Sequence, residues 1–470
     1  MNAQFWLARV TVEAAAPIAV GTGAGDSLRD ALFATDPHGL PYLPGTSLAG
    51  VLRRSLPEDV RWQWFGRVEG GNAERSRVYV SDALIHDSRD RPHSMMAGPS
   101  GDPVLAFAAA GITRDHVRLN AAGTAAGRGK FDDSAVPAGC RFTFELRIDG
   151  DACVATETDI GRDALLRALW TSLHLGGKTL RGYGHLKVVR LWARSFEMSR
   201  REDREHWRKV PRGLEESCDL RSLGFQAGKA PSIGPASPTA VTLKLAACEQ
   251  LLIGGGVYLP ESTLKRLGSS EAKIPLSEPV IEWLGANSQV GSIAPSPRPV
   301  VPATAVKGAL RHRCEFHLRR LTGDGAGAQI SEQMSTLFGA TKSDVKTGQP
   351  GRVRIGDVRL EASQLDDKKL AVAPHVSIDR FTGGPMPGLL FHDVSMDRPS
   401  FALHVEILPG PTNADAGQPT QKARQALVWA LRDLVDGRLA LGTGRNSGYG
   451  FVKGDFKQLE PLRAWLEEVP

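Results

Sequence analysis

The chain has 470 residues, 41% hydrophobic and 23% charged, which is enough apolar material for two or three packed domains and points away from a disordered chain. Its 58 basic against 52 acidic residues leave a net charge of +6 and a pI near 9.1, a balance that suits an anionic partner without requiring one. Five scattered cysteines (Cys140, Cys153, Cys218, Cys248, Cys314) form no CxxC pair, which argues for reduced thiols and against a zinc ribbon. With neither a basic-then-apolar leader nor a run of about eighteen apolar residues, the sequence predicts a cytoplasmic protein with no membrane anchor.

In chain order, FWLARVTVEA alternates like a half-buried strand. A glycine-rich loop follows with Asp26, Asp30 and Asp36, then breaks at Pro44-Gly45 into a helix with Ser47 near its start and Arg53 and Arg54 at its end. Next come the strand RVYVSDA, an arginine-centred glycine loop around Arg118, the strand RFTFELRI, the helix RDALLRALWTSLHL and the glycine loop LGGKTLRGYG. A charged stretch and the segment GKAPSIGPASP read as an exposed connector, giving a first domain at 1–195, a linker at 196–238 and a second domain at 239–470. The second domain opens with the strand AVTLKLAACE. It continues with a long helix after Pro302, the strand RVRIGDV, a glycine loop around Arg380, FALHVEIL, a helix at KARQALVWALRDLV and the loop LGTGRNSGYG.

The second half repeats the first. LPGTSLAGVLRR matches VPATAVKGALRHR, with Pro44 opposite Pro302 and Arg53 opposite Arg311; WFG matches LFG; RVYVSDA matches RVRIGDV; and both halves end in a GYG loop. Strand, helix, two strands, helix, strand in each copy predicts an α+β ferredoxin-like unit with long insertions. A fold of this kind serves many functions, so the sites decide.

The glycine loops follow helices and match no GxxxxGK[ST] pattern, which excludes a nucleotide P-loop. Their glycines allow close approach to a phosphate, Lys178, Arg181 and Arg445 supply charge, and Tyr183 and Tyr449 are read as base-stacking residues. The helices after PGTSL and PATAV are read as holding a phosphate on free N–H groups at their start, with Arg53, Arg54, Lys307, Arg311 and Arg313 along a basic face. His38, His86, His93 and His116 are isolated in sequence and read as surface or hydrogen-bonded histidines.

The order PGTSLAGVLRR, WFG, RVYVSDA, an arginine-bearing loop and a loop ending in GYG, present in both halves, resembles the RAMP superfamily of CRISPR proteins, specifically the backbone subunits of type III effector complexes. The resemblance implies two tandem ferredoxin-like or RRM-like domains with β-hairpin thumbs at Thr113–Val136 and Ser377–Asp393, stacked head to tail along a guide RNA. It implies crRNA, target single-stranded RNA, other RAMP subunits and a large polymerase-like CRISPR subunit as partners. In active members an aspartate precedes the segment that reads DPHGLPYLPGTSLAG here. The spacing lands on Asp30, with Asp26 second, as the acid that places a divalent metal (Mg²⁺ or Mn²⁺) or the attacking 2′-OH; no organic cofactor is implied. Asp36 is read as a turn residue before Pro37. The second copy has no aspartate between Leu251 and Gly308, so it is expected to bind without cutting, Glu261, Glu271, Glu278 and Glu282 matching no known spacing. Two other readings remain at this stage: a purely structural guide-binding subunit, and a metal-independent crRNA-processing ribonuclease.

Overall fold

The computed structural model describes residues 4–21, 32–69, 72–119, 125–150, 164–170, 173–229, 239–268, 272–285, 288–323, 325–340, 349–409 and 417–467. It divides into two units: 1–179, 183–234 and 280–294 form the first, and 180–182, 235–279 and 295–470 the second.

The first unit is built on an antiparallel sheet. Its strands are β1 (Gln4–Ala14), β2 (Val78–Val80), β5 (Arg141–Asp149) and β6 (His185–Glu197), and a long hairpin of β3 (Ile112–Leu119) and β4 (Ala125–Ala135) stands between β2 and β5 in sequence. The sheet order is β6-β1-β5-β2, which is the 4-1-3-2 order of a ferredoxin-like fold, with α1 (Gly45–Ser55) in the first crossover and a helical stretch at 164–170 in the second.

β1 is buried along nearly its whole length because both of its faces are covered. Ala8, Val10 and Val12 pack with Leu48 and Leu52 of α1 and with Phe142 and Phe144. Phe5 and Leu7, on the opposite face, pack with Phe196, Val210, Leu223 and Phe225. The start of the stretch expected as a connector therefore forms structure: a helix at Arg201–Lys209 lays Trp207 edge-on against Phe5, and Gln226–Ala227 pairs with β6. Apolar residues spaced through a charged segment produce this second cover; the charge hid them. The first unit also takes in a hairpin from the second sequence repeat, Ile281–Leu284 paired with Val290–Ile293. Trp283 donates its indole N–H to Gly139 O at 2.7 Å and lies under the Arg141 guanidinium at 4.1 Å.

The second unit repeats the topology. β7 (Ala240–Ala247), β8 (Val353–Ile355), β11 (Ser400–Ile407), β12 (Asp436–Ala440) and β13 (Phe451–Gly454) form a sheet in the order β8-β11-β7-β13-β12. α2 (Ala303–Thr322) and α3 (Gln421–Val435) pack against it through Val306, Leu310, Leu427 and Leu431. A hairpin of β9 (Leu370–Ile378) and β10 (Pro385–Asp397) stands where β3–β4 stands in the first unit. Two ferredoxin-like domains, each with one long hairpin inserted, are thus present as expected. Among the described residues no helix is long and apolar enough to cross a membrane.

A buried polar knot stiffens the first unit. His86 Nδ1 meets Asp90 at 2.8 Å, His86 Nε2 meets Thr143 Oγ1 at 2.7 Å, and Arg141 reaches Asp90 at 3.1 Å, with Arg190 on the same carboxylate. Burial pushes the Asp90 carboxyl up, but the hydrogen bonds from His86 and Arg190 outweigh it and hold its pKa at about 2. A depressed carboxylate stabilises the fold above its unfolded pKa of about 3.8, and that contribution disappears as pH falls through about 2. Asp90→Asn is expected to lower unfolding stability by about 2 kcal/mol at neutral pH. It should also flatten the loss of stability between about pH 4 and pH 2, which urea titrations across that range would measure.

Candidate nucleic-acid interface

The two helix starts are held alike. The Gly45 N–H donates to Asp82 Oδ1 at 2.7 Å, and the Ala303 N–H donates to Asp357 Oδ1 at 2.8 Å, so the aspartate that closes each RVxxxD strand caps the proline-led helix that precedes it in the chain. The Ser47 and Ala305 amides donate to Pro44 O and Pro302 O at 2.9 and 3.0 Å. This corrects the expectation of free N–H groups awaiting a phosphate: a carboxylate already occupies the anion position at both helix starts. The sequence signal for it was present in the two matched aspartates, whose capping role spacing alone does not reveal.

Positive charge gathers one turn further on in the second unit. Lys307, expected on an outer face, is only 7% exposed; its ammonium donates to Val353 O at 2.7 Å and to Leu180 O at 3.2 Å. Burial lowers its pKa to about 7, and the charges of Arg181, Arg311 and Arg354 push it the same way. The structure therefore brings together Arg181 and Arg311, both named from sequence, with Lys307 and with Arg354, which sequence reasoning missed. Arg354 pairs with Glu406 at 2.9 Å. Arg313 does not join them: it is bound to Asp433 together with His317, inside the unit. In the first unit Arg54 is exposed, Arg53 lies over the Trp62 ring at 5.0 Å, and Ser47 is half-buried in the first turn of α1.

The tyrosines of the glycine loops are corrected too. Tyr183 is fully buried and Tyr449 is 7% exposed, so neither ring offers a stacking face. Each instead closes the root of a hairpin. Tyr183 Oη lies 3.1 Å from His116 Nε2, which is 2.9 Å from Asp133; Lys178 pairs with the same carboxylate, and the His116 ring stacks on Phe131. In the second unit His375 is 3.2 Å from Asp393, Lys273 is 3.8 Å from it, and the His375 ring stacks on Phe391. Tyr449 reaches Ser395, and its phenol is shifted up by burial and by the Asp393 charge. His86 and His116 are thus hydrogen-bonded histidines, as read, each held by a carboxylate. The most exposed aromatic among the described residues is Phe381, 90% exposed at the β9–β10 tip beside Arg380, which is itself exposed and 5.7 Å from the ring. An aromatic inside DRFTGGP is the signal that could have found it.

Arg445 is exposed in a short turn between left-handed Gly444 and Gly448. Arg118 lies on β3, and its side chain is outside the described residues. Asp26 and Asp30 also lie outside the described residues. The loop that carries them is closed by a bridge between Gly21 and Phe33. Asp36 accepts the His38 and Leu40 N–H groups at 2.8 and 2.9 Å, a turn residue as read. Among the described residues no group of three or more metal-ligating side chains is assembled, and Asp36, the described acid nearest the loop, is engaged by backbone.

The sequence model described as "RAMPs: RAMP superfamily" matches residues 11–187 and 285–453. No curated protein matches the chain. One similar solved structure is "Type III-B Cmr-beta Cryo-EM structure of the Apo state", at 15% identity and a TM-score of 0.30, covering 39% of this chain and 96% of that chain.

The lowered Lys307 pKa makes the basic cluster pH-sensitive in a defined direction. The ammonium is the disfavoured form, so its destabilising effect is largest below about 7 and is relieved as pH rises towards 10.5. An anion beside Arg181 and Arg311 favours the ammonium again. Binding of a single-stranded RNA oligonucleotide near neutral pH is therefore expected to take up a proton, and Lys307→Met to abolish that uptake. Calorimetric titration in buffers of different ionisation enthalpy measures it.

Proposed function

The chain belongs to the RAMP superfamily, and on that premise we propose that it is a double backbone-type subunit of a type III CRISPR effector complex, binding crRNA through both domains. The observation that carries this reading is the family match in both halves, joined to the convergence of Arg181, Lys307, Arg311 and Arg354 in one basic cluster. Guide phosphates lie along Arg181 and Arg311 in the second unit, where Arg445 adds a further contact, Arg53 and Arg54 serve the first unit in the same way, and the Arg118 and Arg380 hairpins act as thumbs. Phe381 fits a thumb tip that inserts between bases, since a ring exposed to that degree gains free energy by stacking.

In this reading the partners are crRNA, target single-stranded RNA, further RAMP subunits and a large polymerase-like subunit, in the cytoplasm. Domain 1 cleaves target RNA with a divalent metal placed by Asp30, Asp26 being the alternative acid; a bound metal would stabilise charge on the in-line displaced oxygen. Domain 2, without an aspartate between Leu251 and Gly308, binds only.

Two measurements test this. Affinity for single-stranded RNA should fall steeply with salt and show little base preference, and replacing Arg181 with Arg311, or Arg445 alone, should weaken all sequences alike by roughly tenfold per lost phosphate contact. A flat salt dependence sinks the binding reading. In the assembled complex with Mg²⁺ or Mn²⁺, Asp30→Ala should remove one target cut and leave guide and target binding nearly unchanged. A cut that survives the Asp26→Ala, Asp30→Ala double change overturns the assignment of catalysis to this loop. Cleavage of free precursor RNA without guide or metal identifies the processing ribonuclease instead.

A further inference from the structure

The residues expected as a linker cover only half of one face of the first sheet. The helix at Arg201–Lys209 and the residues after it lie over β1 and β6, where Phe5, Leu7 and Phe196 meet Trp207, Val210 and Leu223. On the same face the β5–β2 side stays open and holds a cavity of about 480 Å³, whose walls include Arg75, Tyr79, Ser81, Glu145, Arg147 and Asp149. That volume is within the range of small-molecule sites.

Strand register builds the cavity. Arg147 stands opposite Tyr79 across the β5–β2 pair. Ser81 stands beside Glu145, donating its N–H to Glu145 O at 3.0 Å while the Glu145 N–H donates to Ser81 Oγ at 2.9 Å. A ring and a guanidinium thus form one row, and a hydroxyl and a carboxylate form the next, roughly 7 Å further along the strands. Arg147 is fixed from two sides: its Nε donates to Asp149 at 2.5 Å, and its guanidinium lies 4.5 Å from the Phe5 ring and 5.8 Å from that of Trp207. Arg75 folds back to donate to the Tyr79 phenol oxygen, and the Tyr79 ring stays 38% exposed. Glu145 is the low point. Its Oε2 accepts from Arg9 Nε at 3.4 Å, and among the described residues its Oε1 has no partner. Burial pushes the carboxyl up, and the Arg9 charge does not bring it back.

An open sheet face is polar without having a ligand, so the second unit supplies the control. In the matched strands, RVYVSDA and RVRIGDV, Tyr79 is replaced by Arg354 and Ser81 by Gly356. Arg354 stands opposite Glu406 and pairs with it at 2.9 Å, and the Gly356 N–H donates to His404 O at 3.2 Å. A closed ion pair therefore occupies the row where the first unit presents a ring beside a guanidinium, and a histidine stands where the first unit has its carboxylate. The fold does not require the ring or the under-compensated acid.

We propose that this cavity binds a single guanine nucleotide, with the base stacked on Tyr79, its N1–H and N2–H₂ edge on the Glu145 carboxylate, and its phosphate on Arg75 and Arg147. The floor only accepts hydrogen bonds and the two guanidiniums only donate them, so the occupant needs a donating edge at one end, an anion at the other and a flat body between. Guanine offers two adjacent donors on its pairing edge. Adenine and cytosine offer one amino group beside an acceptor, and uracil offers one N–H between two acceptors, which sets the order of preference. A purine centred on the tyrosine ring reaches a carboxylate one row away. A free nucleotide and a guanosine within an RNA strand share this chemistry. Arg181, Lys307 and Arg311 take no part, so the site stands or falls apart from the guide-binding reading.

The test is calorimetric titration of the RNA-free, full-length chain with GMP, AMP, CMP and UMP. GMP should bind tightest and UMP weakest, and guanosine without its phosphate should bind about tenfold more weakly than GMP. Tyr79→Leu should weaken GMP about tenfold. Arg75→Ala should weaken GMP and leave guanosine unchanged, and Glu145→Gln should remove the preference for GMP over AMP. Tyr79 and Arg75 are exposed, so their variants give a reading even where Glu145→Gln, which unpairs the buried Arg9, fails to fold. An oligouridine carrying one guanosine separates the sources: it displaces GMP where the cavity takes a strand residue and leaves GMP bound where it takes the free nucleotide. No GMP binding up to millimolar concentration, equal affinity for the four nucleotides, or GMP binding untouched by both Tyr79→Leu and Arg75→Ala would overturn the proposal.

Discussion

Each repeat is organised around one hydrogen bond, from the first amide of the helix after the proline to the carboxylate that ends the second sheet strand. It fixes where the helix enters the sheet. In the first repeat the entry is so close that a Cβ at Gly45 would stand 2.4 Å from Val80 O, which makes glycine obligatory there, while the second repeat has room for Ala303. It also settles the local electrostatics. A carboxylate at a helix N-terminus takes the favourable interaction that a phosphate would otherwise have, so in the proposed reading anion recognition passes to side chains further along the helix and on the neighbouring loop. The same aspartate supplies the floor on which Gly182 rests.

What was legible in the sequence was whatever repeats with fixed spacing. The duplication, the proline-led helices, the sheet strands and the GYG loops were readable because backbone geometry selects Pro and Gly regardless of context. Burial was less legible, because it depends on what covers a residue. Tyr183 and Tyr449 carry hydroxyls and sit in glycine loops, which reads as exposure, but their rings plug hairpin roots. Lys307 reads as surface charge, but two carbonyl acceptors make its burial tolerable. The stretch at 196–227 reads as linker because its charges outnumber its apolar residues, yet Trp207, Val210, Leu223 and Phe225 are enough to cover one face of β1.

The hairpin roots show the same arrangement reached by different residues. Histidine, aspartate and phenylalanine come from matching strands in both units: His116, Asp133 and Phe131 in one, His375, Asp393 and Phe391 in the other. The lysine does not. Lys178 comes from the glycine loop at a position where the other loop has Gly444, and the second unit draws Lys273 from a short strand that runs parallel beside β10. Asp133 and Asp393 are nearly buried, and a nearly buried carboxylate needs cationic partners wherever the chain can provide them. Retention of the lysine's place without its sequence position indicates that charge balance at the root is the constrained quantity.

The two repeats differ most where the proposed chemistry differs. Where the second has Lys307 the first has Ala49, and where the first has Asp26 and Asp30 the second has no aspartate between Leu251 and Gly308. In the proposed reading these absences are physically linked. Arg181, Arg311 and Arg354 around a lysine already lowered to about 7 make a site whose cations repel one another, and an approaching phosphate relieves that repulsion. An added carboxylate there would pair with the cations and weaken the attraction for phosphate. A loop that brings acids to an RNA backbone requires the opposite surroundings, with fewer buried cations to capture its carboxylates. In the proposed reading, holding and cutting one polyanion place conflicting demands on the surroundings of a single loop, and a tandem repeat lets the second copy hold RNA without also having to cut it.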